Sequence, residues 1–177
     1  RSIGGGAMEE RQDHATRTIS IVMIIALVGK VLGAVFLLTF LAETFGRIVR
    51  EHWEPWQDRL PLHFCSLMTL VCFIALWYRR PWACAAAYFG VLTASIQGLI
   101  TPMLYEGFPS AAFFAFFIGH GLLFISALYL PLVLEWRARP WDDVKTLLLC
   151  DAYLLLIIPV NIWLGTNYGF TRYAPEG

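Results

Sequence analysis

Five apolar runs, at about 18–49, 62–78, 82–104, 110–134 and 144–166, follow one another along this chain with only short polar breaks between them. A bilayer core about 30 Å thick takes roughly 20 helical residues to cross, because every backbone N–H and C=O must find its partner inside the segment once water is gone. The second run is near the lower limit for crossing, and the first is long enough to project from the membrane. The breaks "EHWEPWQDRLP", "RRP", "YEGFP" and "EWRARPWDD" each bring charge, Pro or Gly, which ends a helix rather than extending it. The expected fold class is all-α: a polytopic transmembrane helical bundle with five membrane-spanning helices. Composition agrees, since 58% of the 177 residues are hydrophobic and only 15% charged, against about 45–50% apolar in soluble domains.

The same features exclude other classes. Formal net charge is zero and the basic residues are scattered, so there is no electrostatic footprint for nucleic acid. Cys65, Cys72, Cys84 and Cys150 lie in or beside apolar runs without CxxC or zinc-type spacing, which argues against a disulfide framework. Residues 1–17 read as a flexible or appended N-terminal segment, 18–170 as the transmembrane domain and 171–177 as a tail. The first apolar run is too long for a secretory signal and has no small-residue cleavage site.

Lys and Arg near the helix ends set the expected orientation. One side collects Arg11, Arg17, Arg79, Arg80, Arg137, Arg139 and Lys145, and the other Arg47, Arg50, Arg59 and Arg172. The richer side is expected in the cytoplasm, with Glu106 outside. Trp53, Trp56, Trp77, Tyr78, Trp82, Tyr105, Trp136 and Trp141 stand at the expected ends, where amphipathic rings prefer the headgroup layer. Gly29 with Gly33, Ala94 with Gly98, and Ala115 with Gly119 have the four-residue spacing that lets helix backbones approach.

Polar groups are costly in hydrocarbon and point to function or to interhelical contact. Counting inward at 1.5 Å per residue, Glu43, His63, Cys65, Gln97, Thr101, Asn161 and Asn167 fall within two or three turns of one membrane surface, with His120 deeper. His63 and Cys65 are two residues apart, about 200° around a helix, so they do not face each other. His120, between Gly119 and Gly121, is therefore the better partner for Cys65. A histidine that takes its proton makes a thiol a nucleophile. Each residue also has a plainer reading. A lone buried cysteine is ordinarily a small hydrophobe, a histidine at a helix mouth can anchor in the interface, and Asn161 and Asn167 can bridge helices. Lys30 is expected to snorkel or to pair internally. Glu43, His63, Cys65 and His120 lack a diagnostic metal spacing, and no cofactor is expected.

"LPLHFCSL", "AYFGVLTASIQGLITP", "GFPSAAFFAFFIGHGLLF" and "NIWLGTNYGF", in this order, resemble the YwaF-type bacterial integral membrane proteins. The resemblance covers about Leu60 to Tyr168, roughly three fifths of the chain. That family is similar to a eukaryotic transmembrane phospholipid acyltransferase and, more distantly, to the androgen-induced transmembrane lipid hydrolases. The resemblance implies an essential Cys and His, which fall by motif on Cys65 and His120, and a home in the bacterial inner membrane. Members carry an acidic residue where this chain has Ser66. They also carry one more helix before the first run and one after the "NY" segment, so the chain is expected to be part of a longer protein.

The expected function is lipid acyl transfer or lipid-ester hydrolysis in one half of the bilayer. Cys65 and His120 would be catalytic, and His63, Gln97, Thr101, Asn161 and Asn167 would bind substrate. The expected partners are membrane lipids, with a membrane protein complex or a homo-oligomer as further assembly. The alternatives are a structural subunit of a larger membrane complex and a small-solute or lipid transporter. Pro131 and Pro159 inside helices suit a transporter, although no inverted repeat relates the two halves.

Overall fold

A computed structural model of the chain describes residues 3–49, 56–102, 104 and 107–174. Arg50, Trp53, Tyr105 and Glu106, used above for orientation and interface placement, lie outside the described residues, as do 175–177. The described chain is helical, with no strand: α1 (Ile3–Val49), α2 (Phe64–Tyr78), α3 (Pro81–Gly90), a π-helical turn (Val91–Ser95), α4 (Gln97–Ile100), α5 (Ala111–Leu132) and α6 (Asp142–Leu164). Among the described residues four stretches are long and apolar enough to cross a membrane: His14–Gly46, Pro81–Ile100, Ala111–Leu132 and Asp142–Leu164. The fifth, α2, has 15 residues and is the short member that its run length indicates. The architecture is that of a multi-pass helical membrane bundle.

Most helix ends have a local cause. The left-handed Arg79 (φ 52°) closes α2, and Pro81 opens α3, where its missing N–H costs nothing. This tight turn makes α2 and α3 an antiparallel hairpin. The third run stops at Ile100, four residues short of the expected 104, because Thr101 precedes Pro102 and the residue before proline is pushed out of the α region. Ser110 caps α5, its hydroxyl accepting the Phe113 N–H at 3.1 Å. Gly165 (φ 75°) ends α6, using the left-handed conformation that glycine takes without strain. Pro131 and Pro159 lie inside continuous helices. At the other end of the chain α1 begins at Ile3, within the segment that composition reads as flexible. Its stretch "AMEERQ" consists of strong helix formers, so the apolar helix propagates back through it.

Packing centres on α2, with α1, α3 and α5 around it. Gly33 lets α1 come close to α2: a Cβ there would meet Leu76 Cβ at 3.5 Å and Phe73 O at 3.6 Å. Gly29 likewise sits against Tyr129 of α5 at 3.6 Å, and the Tyr129 hydroxyl donates to Ile25 O at 2.8 Å. Nothing lies within 4 Å of a Cβ on Gly119, so the Ala115–Gly119 pair makes no such approach here. The buried cluster joins Phe36 of α1, Cys72 and Leu76 of α2, Cys84 and Ala87 of α3, and Leu123 and Leu130 of α5. Cys72 and Cys84 are thus core residues, and all four cysteines are free. The outer surface is apolar as well, with Leu155 73% and Trp163 82% exposed on α6, as suits a helix whose solvent on that side is lipid. Trp56, Tyr78, Trp82 and Trp141 are exposed near element ends, whereas Trp136 packs on Tyr88 with ring centroids 5.4 Å apart.

Candidate functional site

Cys65 sits in the first turn of α2 and is partly buried. Its thiol adjoins the Ser95 hydroxyl at the end of the π-helical turn, and Glu43 of α1 acts on it electrostatically. The contact with Ser95 falls short of a formed hydrogen bond: Ser95 is 2% exposed and its Oγ has no partner of good geometry. Tyr153 of α6 is a further neighbour in electrostatic reach. The π-helical turn is marked by the Ile96 N–H, which donates to Val91 O, five residues back, at 2.9 Å. Such turns occur mostly as single widenings inside α-helices and often mark functional sites.

His120 occupies the middle of α5. Its ring stacks on Phe116 at 4.2 Å and Nδ1 lies 3.0 Å from Phe116 O. A carbonyl only accepts, so Nδ1 carries the proton and donates, and Nε2 holds the free lone pair of the neutral ring. The Cδ2–Nε2 edge lies over Gly98, where a Cβ would come within 2.6 Å of Cδ2 and 2.7 Å of Nε2. Glu43 acts electrostatically on His120 as it does on Cys65. The segment 91–100 thereby meets Cys65 through Ser95 and His120 through Gly98, three residues or about one helical turn (~5 Å) apart.

A hook after α6 closes this end of the bundle. Asn161 is fully buried, 0% exposed. Its Nδ2 donates to Tyr168 O and Thr171 Oγ1, both at 2.7 Å. Its Oδ1 accepts the Thr166 hydroxyl at 2.7 Å and the Tyr168 N–H at 2.8 Å. That uses both donors and both lone pairs of the amide, so in this arrangement Asn161 holds the hook. Asn167 does the same further out, its Oδ1 accepting the Arg172 N–H at 3.0 Å and its Nδ2 donating to Tyr173 O at 2.9 Å. The Tyr168 hydroxyl donates to Gln57 O and accepts the Leu60 N–H at 3.1 Å. The Tyr153 hydroxyl donates to Leu62 O at 2.9 Å. Those bonds fix the approach to α2. His63, the residue before α2, packs its ring edge-on to Tyr168 at 4.9 Å and tilted to Phe170 at 5.8 Å.

The remaining sequence-derived residues are placed differently. Gln97 and Thr101 are exposed, and the Thr101 hydroxyl donates to Gln97 O at 3.0 Å, closing its own helix end. Lys30 lies over the Trp77 ring at 5.9 Å, a cation–π pairing. Ser66 is buried. Among the described residues no three His, Cys, Asp or Glu side chains gather as a metal-ligand set. A cleft of about 230 Å³ lined by Trp82, Asp142, Lys145 and Thr146 lies between the starts of α3 and α6, at the opposite end of the helices from Cys65. Sequence reasoning missed Ser95, Tyr153 and Tyr168. The phrase "TASIQG" contains Ser95, but only its neighbour across the helix interface gives it meaning.

A family model, the TMEM164 family, matches residues 4–177. No curated protein and no solved structure matches the chain.

Proposed function

This chain belongs to the TMEM164 family, and on that premise we propose that it is a thiol-dependent enzyme of membrane lipids, moving or hydrolysing acyl chains at Cys65. The observation that carries the reading is the shared polar focus. The segment 91–100 adjoins Cys65 of α2 through Ser95 and His120 of α5 through Gly98, and the exposed Glu43 of α1 adds a minor electrostatic influence on both. His120, with its proton fixed on Nδ1 by Phe116 O, offers Nε2 as the base. The kinship to YwaF-type proteins, the bacterial inner membrane and membrane lipids as partners belong to the same reading.

In the proposed reaction Cys65 Sγ attacks the ester carbonyl while its proton passes to His120 Nε2. The tetrahedral intermediate then expels the alkoxide, which takes that proton and leaves as a lysolipid. An acyl thioester on Cys65 remains. A second hydroxyl, of a lysolipid or of water, gives its proton to His120 and attacks the thioester. Collapse returns the proton to the Cys65 sulfur and releases the new ester or the fatty acid. The Ser95 hydroxyl adjoins the thiol, and Tyr153 lies in electrostatic reach of it. His63 enters the reading through the wall it forms with Tyr168 and Phe170, and Gln97 and Thr101 through their exposed position on the lipid-facing side.

The test follows release of labelled acyl chain from phospholipid in proteoliposomes, with and without a lysolipid acceptor. Cys65→Ala should abolish turnover and leave the fold intact. His120→Ala should be nearly as severe, and the double variant little worse, because residues that act as a unit are non-additive. Turnover that survives Cys65→Ala would refute the thiol mechanism. No turnover in a well-folded wild type would favour a structural or transport role, for which the saturated Asn161 network is the supporting observation.

A further inference from the structure

Four threonines of this bundle share one habit. Thr69, Thr93, Thr101 and Thr146 each donate to the carbonyl four residues back, at 3.0, 2.7, 3.0 and 2.8 Å, the default for a hydroxyl in a helix without a better partner. Ser95 breaks the habit. It stands in the π-helical turn, where Val91 O accepts the Ile96 N–H from five residues on, and its hydroxyl makes no bond back to the backbone. The Ser95 hydroxyl is left buried and without a partner of good geometry, beside the Cys65 thiol. An unsatisfied buried polar group is unfavourable and asks for a reason. Thr44 and Ser126 are also buried without a partner, but Ser126 lies on the apolar stripe of α5 with Leu123, Ala127 and Leu130, and Ser95 is the one of the three that adjoins the thiol.

We infer that Ser95 is a positioning residue for Cys65, its hydroxyl withheld from the helix backbone so that it can donate a hydrogen bond to the sulfur when the thiol ionises. This rests on the reading of Cys65 as the nucleophile. A neutral thiol is a weak acceptor, which accounts for the unformed bond in the resting arrangement. A thiolate is a charged acceptor, for which the bond is shorter and stronger.

The experiment reads thiol chemistry rather than turnover. The full chain in detergent is treated with N-ethylmaleimide across a pH series, and modification is followed at Cys65 and Cys150 by peptide mass spectrometry. Ser95→Ala removes one oxygen and should not lower the thermal midpoint. Loss of a hydrogen bond to a charged group should slow Cys65 modification at neutral pH about tenfold. The pH profile should move by about one unit, because a tenfold change in ionisation is one unit on that axis. The plateau rate at high pH and the behaviour of Cys150 should not change. An unmoved profile, or a lowered plateau with the same midpoint, would overturn the inference and leave acyl transfer by Cys65 standing. A moved profile in a protein without turnover would sustain the Ser95–Cys65 coupling and count against acyl transfer alone.

Discussion

Gly98→Ala separates the needs of the site from those of the helix. In an exposed helix the change stabilises by about 1 kcal/mol, since alanine loses less backbone freedom than glycine. Here the new Cβ would stand 2.6 Å from His120 Cδ2 and 2.7 Å from Nε2, about 1 Å inside ordinary carbon contact. The ring is held from behind by Phe116 at 4.2 Å and by the Nδ1–H bond to Phe116 O. If the ring stays, overpacking costs about 1–3 kcal/mol. If it swings away, the hydrogen bond is lost at about 0.5–1.5 kcal/mol. After the propensity gain the net effect lies between neutral and about 2 kcal/mol of destabilisation, a fall of up to roughly 8 °C in thermal midpoint for a chain of this size. Function should suffer more, because a misplacement of about 1 Å can cost ~100-fold in rate. The assay pairs thermal unfolding in detergent with the acyl-release measurement, with Gly119→Ala as control because nothing lies within 4 Å of a Cβ there. If Gly98→Ala gains as much stability as Gly119→Ala and keeps full turnover, the packing of His120 on Gly98 is refuted.

Three further outcomes are expected. Asn161→Ala strands the Thr166 hydroxyl and the Tyr168 N–H and C=O, at about 1–3 kcal/mol for each buried group. A large fall in thermal midpoint, or loss of the folded protein, is the readout, and an unchanged midpoint would show the hook to be dispensable. Tyr168→Phe removes the bonds to Gln57 O and Leu60 N and should cost about 1–2 kcal/mol, with faster proteolysis near residues 56–63 as the visible sign. Arg79 and Arg139 both act electrostatically on Cys84 and so share one end of the bundle. Cysteines introduced at Arg80 and Arg139 in a cysteine-free background should resist an impermeant reagent applied from outside while one at Phe170 reacts, and the reverse pattern would invert the topology.

The number, order and approximate ends of the helices were legible in the sequence, because length, apolar content and the Pro and Gly breaks are local properties. The same local signals put Cys65 in the first turn of its helix and Asn161 in the last turn of its own, as they stand in α2 and α6. Helix rotation was not legible. In lipid the outward and inward faces are both apolar, so hydropathy carries no phase, and Leu155 facing out reads like Leu123 facing in. That is why Asn161 and Asn167 read from sequence both as substrate contacts and as bridges between helices, whereas the hook shows which groups fill their hydrogen bonds here, and why the exposure of Gln97 and Thr101 was not foreseen. The widening at Val91–Ser95 was invisible for a related reason. It exchanges one i−4 hydrogen bond for an i−5 bond without any Pro or Gly inside the turn to announce it. The sequence by itself settled that this chain is a bundle of membrane helices. Packing alone decided which polar groups meet, because the close approach of His120 to Gly98 and the unpaired hydroxyl of Ser95 beside Cys65 arise only where separate helices touch.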